Sequence, residues 1–132
     1  AVPRINLFIM RYTPSASTAP FQPLTTPDEL EAALAASYER PVFIFKHSFT
    51  CGTSAEAYEE LSPLAGTAAG AWYLLDVRAS RPLSQQIAER FRIRHESPQL
   101  LLIVAGQVRW SGSHYRVTSA AVEQALAQLT AA

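Results

Sequence analysis

Cysteine is nearly absent from this chain: of 132 residues only Cys51 carries a thiol. No disulfide can close within one molecule, and a cysteine-rich metal site or a secreted disulfide scaffold is excluded. Whatever Cys51 does covalently, it does with a second molecule. An excess of charge is missing as well. Lys and Arg total 11, as do Asp and Glu, so nothing marks the chain for a phosphate backbone, and nucleic acid is not an expected partner. Long apolar runs are also lacking. Leu100–Ala105 falls far short of the ~20 residues that span a bilayer, and Leu7–Met10 is too short for the apolar core of a secretory signal. The expectations are no membrane association, a cytoplasmic location and no metal. No internal repeat is visible.

Hydrophobic residues make up 48% of the chain, enough for one globular domain with a real core. Residues 1–24 read as an irregular N-terminal extension. Pro3, Pro14, Pro20 and Pro23 fall there, with the Ser/Thr/Ala run Thr13–Ala19. Met10 is the only methionine; the expectation is a translation start there, with residues 1–9 an added or upstream segment. The domain proper is expected over 25–132.

From residue 25 the pattern is regular. Thr26-Pro27-Asp28-Glu29 is a helix start, with a capping Thr, Pro in the first turn and Glu three residues after the cap. Leu30, Leu34 and Tyr38 follow at helical spacing. Pro41–Phe45 is a continuous apolar run, as in a strand covered on both faces. A second helix should begin near Cys51, bury Ala55, Tyr58 and Leu61, and end before Gly66. Trp72–Val77 reads as a buried strand, with Asp76 as its terminating turn residue. Ser80-Arg81-Pro82 opens a helix with the stripe Leu83, Ile87 and Phe91. Gln99–Val104 and Gln107–Ser111 form a hairpin around Ala105-Gly106. Thr118 or Ser119 caps a last helix bearing Val122, Leu126 and Leu129. The order α-β-α-β-α-β-β-α implies right-handed crossovers and an α/β fold, with a central mixed four-stranded sheet flanked by helices.

Cys51 stands where the first buried strand hands over to a helix. Unpaired N–H groups and the macrodipole favour an anion at a helix N-terminus. Here the anion would be the thiolate, the form of cysteine that attacks disulfides. Ser54, one turn on, can donate its hydroxyl to the sulfur, and Lys46 and His47 can add positive charge. A lone cysteine can equally be a small buried hydrophobe, and the local sequence allows both. Lys46 is the only lysine; its plain alternative is a solvated strand-end residue. For His47, His95 and His114 the alternative is a surface imidazole. Tyr58, Tyr73, Trp72 and Trp110 read as packing residues.

Cys51-Gly52-Thr53-Ser54 at a strand-to-helix junction resembles the active-site corner of thioredoxin-like oxidoreductases, with Ser54 in place of a second cysteine. More closely, the chain resembles the monothiol bacilliredoxins over about residues 25–130. The matching motifs are Phe45-Lys46-His47-Ser48, Thr50–Ser54, Arg81-Pro82-Leu83-Ser84, His95–Gln99 and Ser113-His114-Tyr115. Two positions depart from the family pattern: Gly52 stands where Pro is common, and Tyr115 where Trp is frequent.

The resemblance implies a thioredoxin-like fold with a cis Ser97-Pro98 bond packed beside Cys51, where the Ser97 backbone meets an extended partner. It implies Cys51 and Ser54 as catalytic residues, and Lys46, His47, Thr50, Gly52, Thr53, Ser97 and Pro98 as substrate contacts. The implied activity is removal of bacillithiol, a thiol carrying glucosamine and malate, from protein mixed disulfides. Bacillithiol would be the co-substrate and bacillithiolated proteins the partners, with no tightly bound cofactor and a monomer or weak dimer as the working form. Arg94, Arg116 and Lys46 are candidates for holding the malate carboxylates. Thioredoxins often bury a carboxylate six positions before the nucleophilic cysteine; that position is Phe45. Two alternatives remain from the sequence: a monothiol glutaredoxin-like protein using another thiol or an iron–sulfur cluster, and a non-catalytic binding module of the same fold.

Overall fold

The structure is a computed structural model that describes residues 19–67 and 69–131. A five-stranded mixed sheet runs in the order β1-β3-β2-β4-β5. Its strands are β1 (Gln22–Pro23), β2 (Val42–His47), β3 (Ala71–Asp76), β4 (Gln99–Val104) and β5 (Gln107–Ser113). β3 pairs parallel with β1 and β2, while β4 pairs antiparallel with β2 and β5. Four helices complete the fold: α1 (Pro27–Ala36), α2 (Gly52–Thr67), α3 (Arg81–Phe91) and α4 (Ser119–Ala131), with a 3-10 turn at His114–Arg116.

The pleat of β2 explains the two cores. Phe43 and Phe45 point to one face and join Ala57, Leu61, Trp72 and Val122. Val42 and Ile44 point to the other and join Leu30, Leu34, Leu83 and Ile87. Both faces of β2 are therefore dry, and all six of its residues are buried. Among the described residues no helix is long and apolar enough to cross a membrane.

Several helix signals act as the sequence predicts. Thr26 Oγ1 accepts from Glu29 N (3.1 Å) while Glu29 Oε1 accepts from Thr26 N (3.3 Å), a reciprocal cap. Thr118, rather than Ser119, caps α4 by accepting from Ala121 N (3.1 Å). Asp76 Oδ1 closes the turn after β3 through the N–H groups of Arg78 and Ala79. Ala105 and Gly106 both have positive φ, as a two-residue hairpin turn requires.

Five expectations need correction. The sheet has five strands, because Gln22 and Pro23 pair with Tyr73 and Leu74 at its edge. A two-residue strand shows no alternation, and its proline reads as a breaker, although an edge tolerates one. Phe21 and Leu24 flank β1 and are buried, one in each core, so the ordered fold begins ahead of residue 25; residues 1–18 lie outside the described part. Tyr38 is 71% exposed, because α1 stops at Ala36. The Ser37 side chain donates to Leu34 O and accepts from Gly106 N, which ends the helix and clamps the hairpin turn.

Helix α2 continues through Pro63 and Gly66 to Thr67. Leu61, Leu64 and Ala65 pack on the core there, and burial outweighs poor propensity. Finally, Ala55 is exposed, and the buried stripe is Ser54, Ala57 and Leu61. A serine at a core position rotates the expected face by one residue.

Candidate active site

After His47 the chain turns through Ser48–Thr50 and enters α2. Cys51 N donates to Ser48 O (3.3 Å), and Cys51 O accepts from Ala55 N (3.0 Å), so Cys51 is the residue that caps α2. The thiol is free and its residue is half-buried. It meets the positive end of a 16-residue helix. A thiol so placed can reach a second molecule. It is not sealed in the core.

Ser54 behaves differently from expectation. Its Oγ accepts from Ser48 N (3.0 Å) and lies 2.7 Å from His47 Nδ1. Among the described residues, His47 Nδ1 is the hydroxyl's one acceptor, and no hydrogen bond joins Ser54 to the Cys51 sulfur. The hydroxyl proton therefore goes to Nδ1, and His47 carries its own proton on Nε2. His47 is 3% exposed and ringed by Phe45, Phe49 and Tyr58. Burial pushes it down to about 4, partly opposed by the Asp76 carboxylate. The imidazole is neutral at neutral pH and adds no cation to the site, contrary to the sequence reading. Its shape and its bond to Ser54 anchor the start of α2 instead.

Lys46 is also displaced from its expected role. Alternation puts it on the Val42 and Ile44 face of β2, across the sheet from α2. It is fully buried, its Nζ donating to Ser84 O (3.1 Å) and meeting His95 Nδ1 (3.3 Å). Burial pushes it down to about 8. An ammonium has no acceptor, so His95 Nδ1 accepts, and Ser84 Oγ lies 3.1 Å from the same nitrogen. Lys46 thus ties β2 to α3 and to the loop before Pro98, and it does not face the thiol.

The Ser97–Pro98 peptide is cis, as the sequence resemblance implies. Lys46 pairs with Gln99, and continuing that register sets Pro98 opposite His47 and Ser97 opposite Ser48. The proline loop therefore occupies the end of the sheet from which the Cys51 turn departs. Pro98 is buried, and its carbonyl accepts from His114 N (2.8 Å). Thr50 Oγ1 is near Ser48 Oγ (3.3 Å) and accepts from Arg78 Nη1 (3.5 Å). Thr53 borders a cleft of about 540 Å³ with Glu56, His114 and the 78%-exposed Tyr115. Gly52 is exposed, and a Cβ built on it would meet nothing within 4 Å.

The family model described as monothiol bacilliredoxin BrxC matches residues 22–122. The chain belongs to the monothiol bacilliredoxin family. A solved protein described as an oxidoreductase with a thioredoxin fold is 33% identical, with a TM-score of 0.72 over 80% of this chain and 92% of its own. The thioredoxin of Malassezia sympodialis is 18% identical, with a TM-score of 0.65 over 82% of this chain and 89% of its own. That of Trypanosoma brucei brucei is 10% identical, with a TM-score of 0.67 over 85% and 92%. The last two share the fold. Together with the family match, the first supports a thiol oxidoreductase with one cysteine.

Sequence reasoning overlooked two participants. Ser84 supplies a carbonyl to Lys46 and a hydroxyl to His95; it stands within a quoted motif without a role, and its other sequence signal is a polar residue next to Leu83 on a buried helix face. Gln99, quoted within a motif but given no role, is 2% exposed and braces the proline loop through Arg94 O.

Proposed function

We propose that this chain removes bacillithiol from protein mixed disulfides. The Cys51 thiolate attacks the bacillithiol sulfur. The bond between bacillithiol and the client breaks, the client leaves as a thiolate that takes a proton from water, and a Cys51–bacillithiol disulfide forms. Ser54 has no thiol to resolve that adduct, so a second small-molecule or protein thiol reduces it and regenerates Cys51. Bacillithiol is the co-substrate, bacillithiolated proteins are the partners, and the cytoplasm is the site of action.

The observation that carries the reading is the placement of the chain's one cysteine, half-buried at the start of α2 beside the Ser97–Pro98 loop. The test presents one model protein in bacillithiolated and glutathionylated forms. Mass spectrometry should find bacillithiol on Cys51 and free client thiol, and Cys51→Ser should give neither. Adduct formation from the glutathionylated form alone would reject bacillithiol as the substrate.

A further inference from the structure

β5 is an outermost strand of the sheet, and among the described residues no strand pairs with its free side. With seven residues it is also the longest of the five strands. An open edge presents a row of backbone N–H and C=O groups to a further strand. A cleft lies on each side of it. One, of about 610 Å³, runs between β5 and α4 and includes Arg116, Gln124 and Leu129 in its lining. The other, of about 570 Å³, runs between β5 and the end of α3 and includes Arg90, Phe91, Arg92 and Val108. Arg109 and Trp110 border both. Successive side chains of a strand point to opposite faces, so a segment laid along β5 would fill the two clefts alternately.

The charges select the kind of segment. Among the described residues no carboxylate lines either cleft. Arg90 is engaged by Glu31, but Arg92, Arg109 and Arg116 are exposed and form no ion pair with a described residue. Arg109 is the extra residue of a bulge, since Leu102 pairs with Trp110 and Ile103 with Val108. A bulged, charged edge deters indiscriminate pairing, and a second copy of β5 would bring arginine against arginine. A strand that carries carboxylates meets no such repulsion. The indole is also seated for contact: a Cβ on Gly112 would come within 2.8 Å of the Trp110 ring, so glycine there lets the ring lie against the strand.

We propose that the free edge of β5 docks an extended, acidic segment of a partner protein by strand addition. The segment's backbone pairs with β5, and its carboxylates meet Arg92, Arg109 and Arg116 in the flanking clefts. The surface stands apart from the exchange chemistry, because no residue of the Cys51 turn or of the Ser97–Pro98 pair lines either cleft.

The test titrates the full chain with a capped heptapeptide of alternating glutamate and valine. The same peptide N-methylated throughout keeps the charge but cannot donate to a ladder, and a lysine–valine peptide reverses the charge. The glutamate–valine peptide should bind, slow hydrogen exchange of the β5 amides about tenfold at saturation, and weaken as salt rises. Arg92→Glu and Arg109→Glu should each lower its affinity about tenfold, whereas Arg40→Glu, exposed outside both clefts, should change it by less than about twofold. No binding by the acidic peptide would overturn the proposal. So would equal binding of the N-methylated peptide, which reduces the contact to charge alone, or equal binding of the lysine peptide. Protection of the β5 amides that rises with protein concentration, without peptide, would give the edge to a second copy and overturn it as well.

Discussion

Ser54 Oγ lies 2.7 Å from His47 Nδ1, and that bond joins the last residue of β2 to the first turn of α2. Cys51 sits in the turn these two residues close. The serine that occupies the place of a second cysteine is therefore a brace beneath the thiol rather than a donor to it.

Ser54→Ala should act on stability more than on exchange. It leaves Ser48 N and His47 Nδ1 without their partner, at a cost of about 1–3 kcal/mol. Urea unfolding should show that loss, while the rate of client-thiol release per folded molecule stays within about threefold. Unchanged stability with a much larger loss of rate would place the hydroxyl on the reacting sulfur.

His47 makes the fold sensitive to acid. Burial holds it near 4 against an ordinary 6.5, so as pH falls through 6.5 the unfolded chain takes up the proton first. The stability is present above about 6.5 and is lost as pH falls towards 4, by about 1–3 kcal/mol. His47→Gln should show a shallower decline over that window; identical slopes would mean that His47 does not titrate there.

Lys46 works on the alkaline side. Its value of about 8, against an ordinary 10.5, reflects burial. Between those two values the unfolded chain holds more protons than the folded one, so stability rises with pH across the window. Lys46→Met should be more stable than wild type near neutrality or equal to it, and should lack that rise. Unfolding followed from pH 7.5 to 10 in both proteins measures the difference.

Gly52 is the first residue of α2, and space surrounds its missing side chain. Gly52→Pro restores the residue common in the family at a helix position that needs no N–H. It should stabilise the fold by about 0.4–1 kcal/mol by restricting the unfolded chain. A lower thermal midpoint in the variant would contradict this.

Where burial follows simple periodicity, the sequence is a sufficient guide. The apolar run of β2, the Leu83 and Ile87 stripe of α3 and the Thr26 cap each depend on neighbours a few residues away. The misreadings share another cause, which is polar groups buried by distant partners. Lys46 looks like a strand-end lysine until Ser84 and His95, 38 and 49 residues on, are folded against it. Ser54 reads as a donor to the Cys51 sulfur until the His47 ring and the Ser48 N–H are folded against its hydroxyl. β1 is invisible because two residues carry no pattern; its partners lie some 50 positions away. The place of Cys51 at a strand-to-helix junction was legible, because that boundary is written in local sequence.

The central claim is that folding delivers Cys51 to the positive end of α2 with its sulfur accessible. Alkylation by iodoacetamide at neutral pH, read by intact mass for the folded protein and for the same chain in urea, tests it most directly. The account predicts that the folded protein reacts at least as fast as the unfolded chain, because the turn before α2 leaves the thiol open to the reagent. Slower alkylation in the folded state would show a shielded thiol and contradict it.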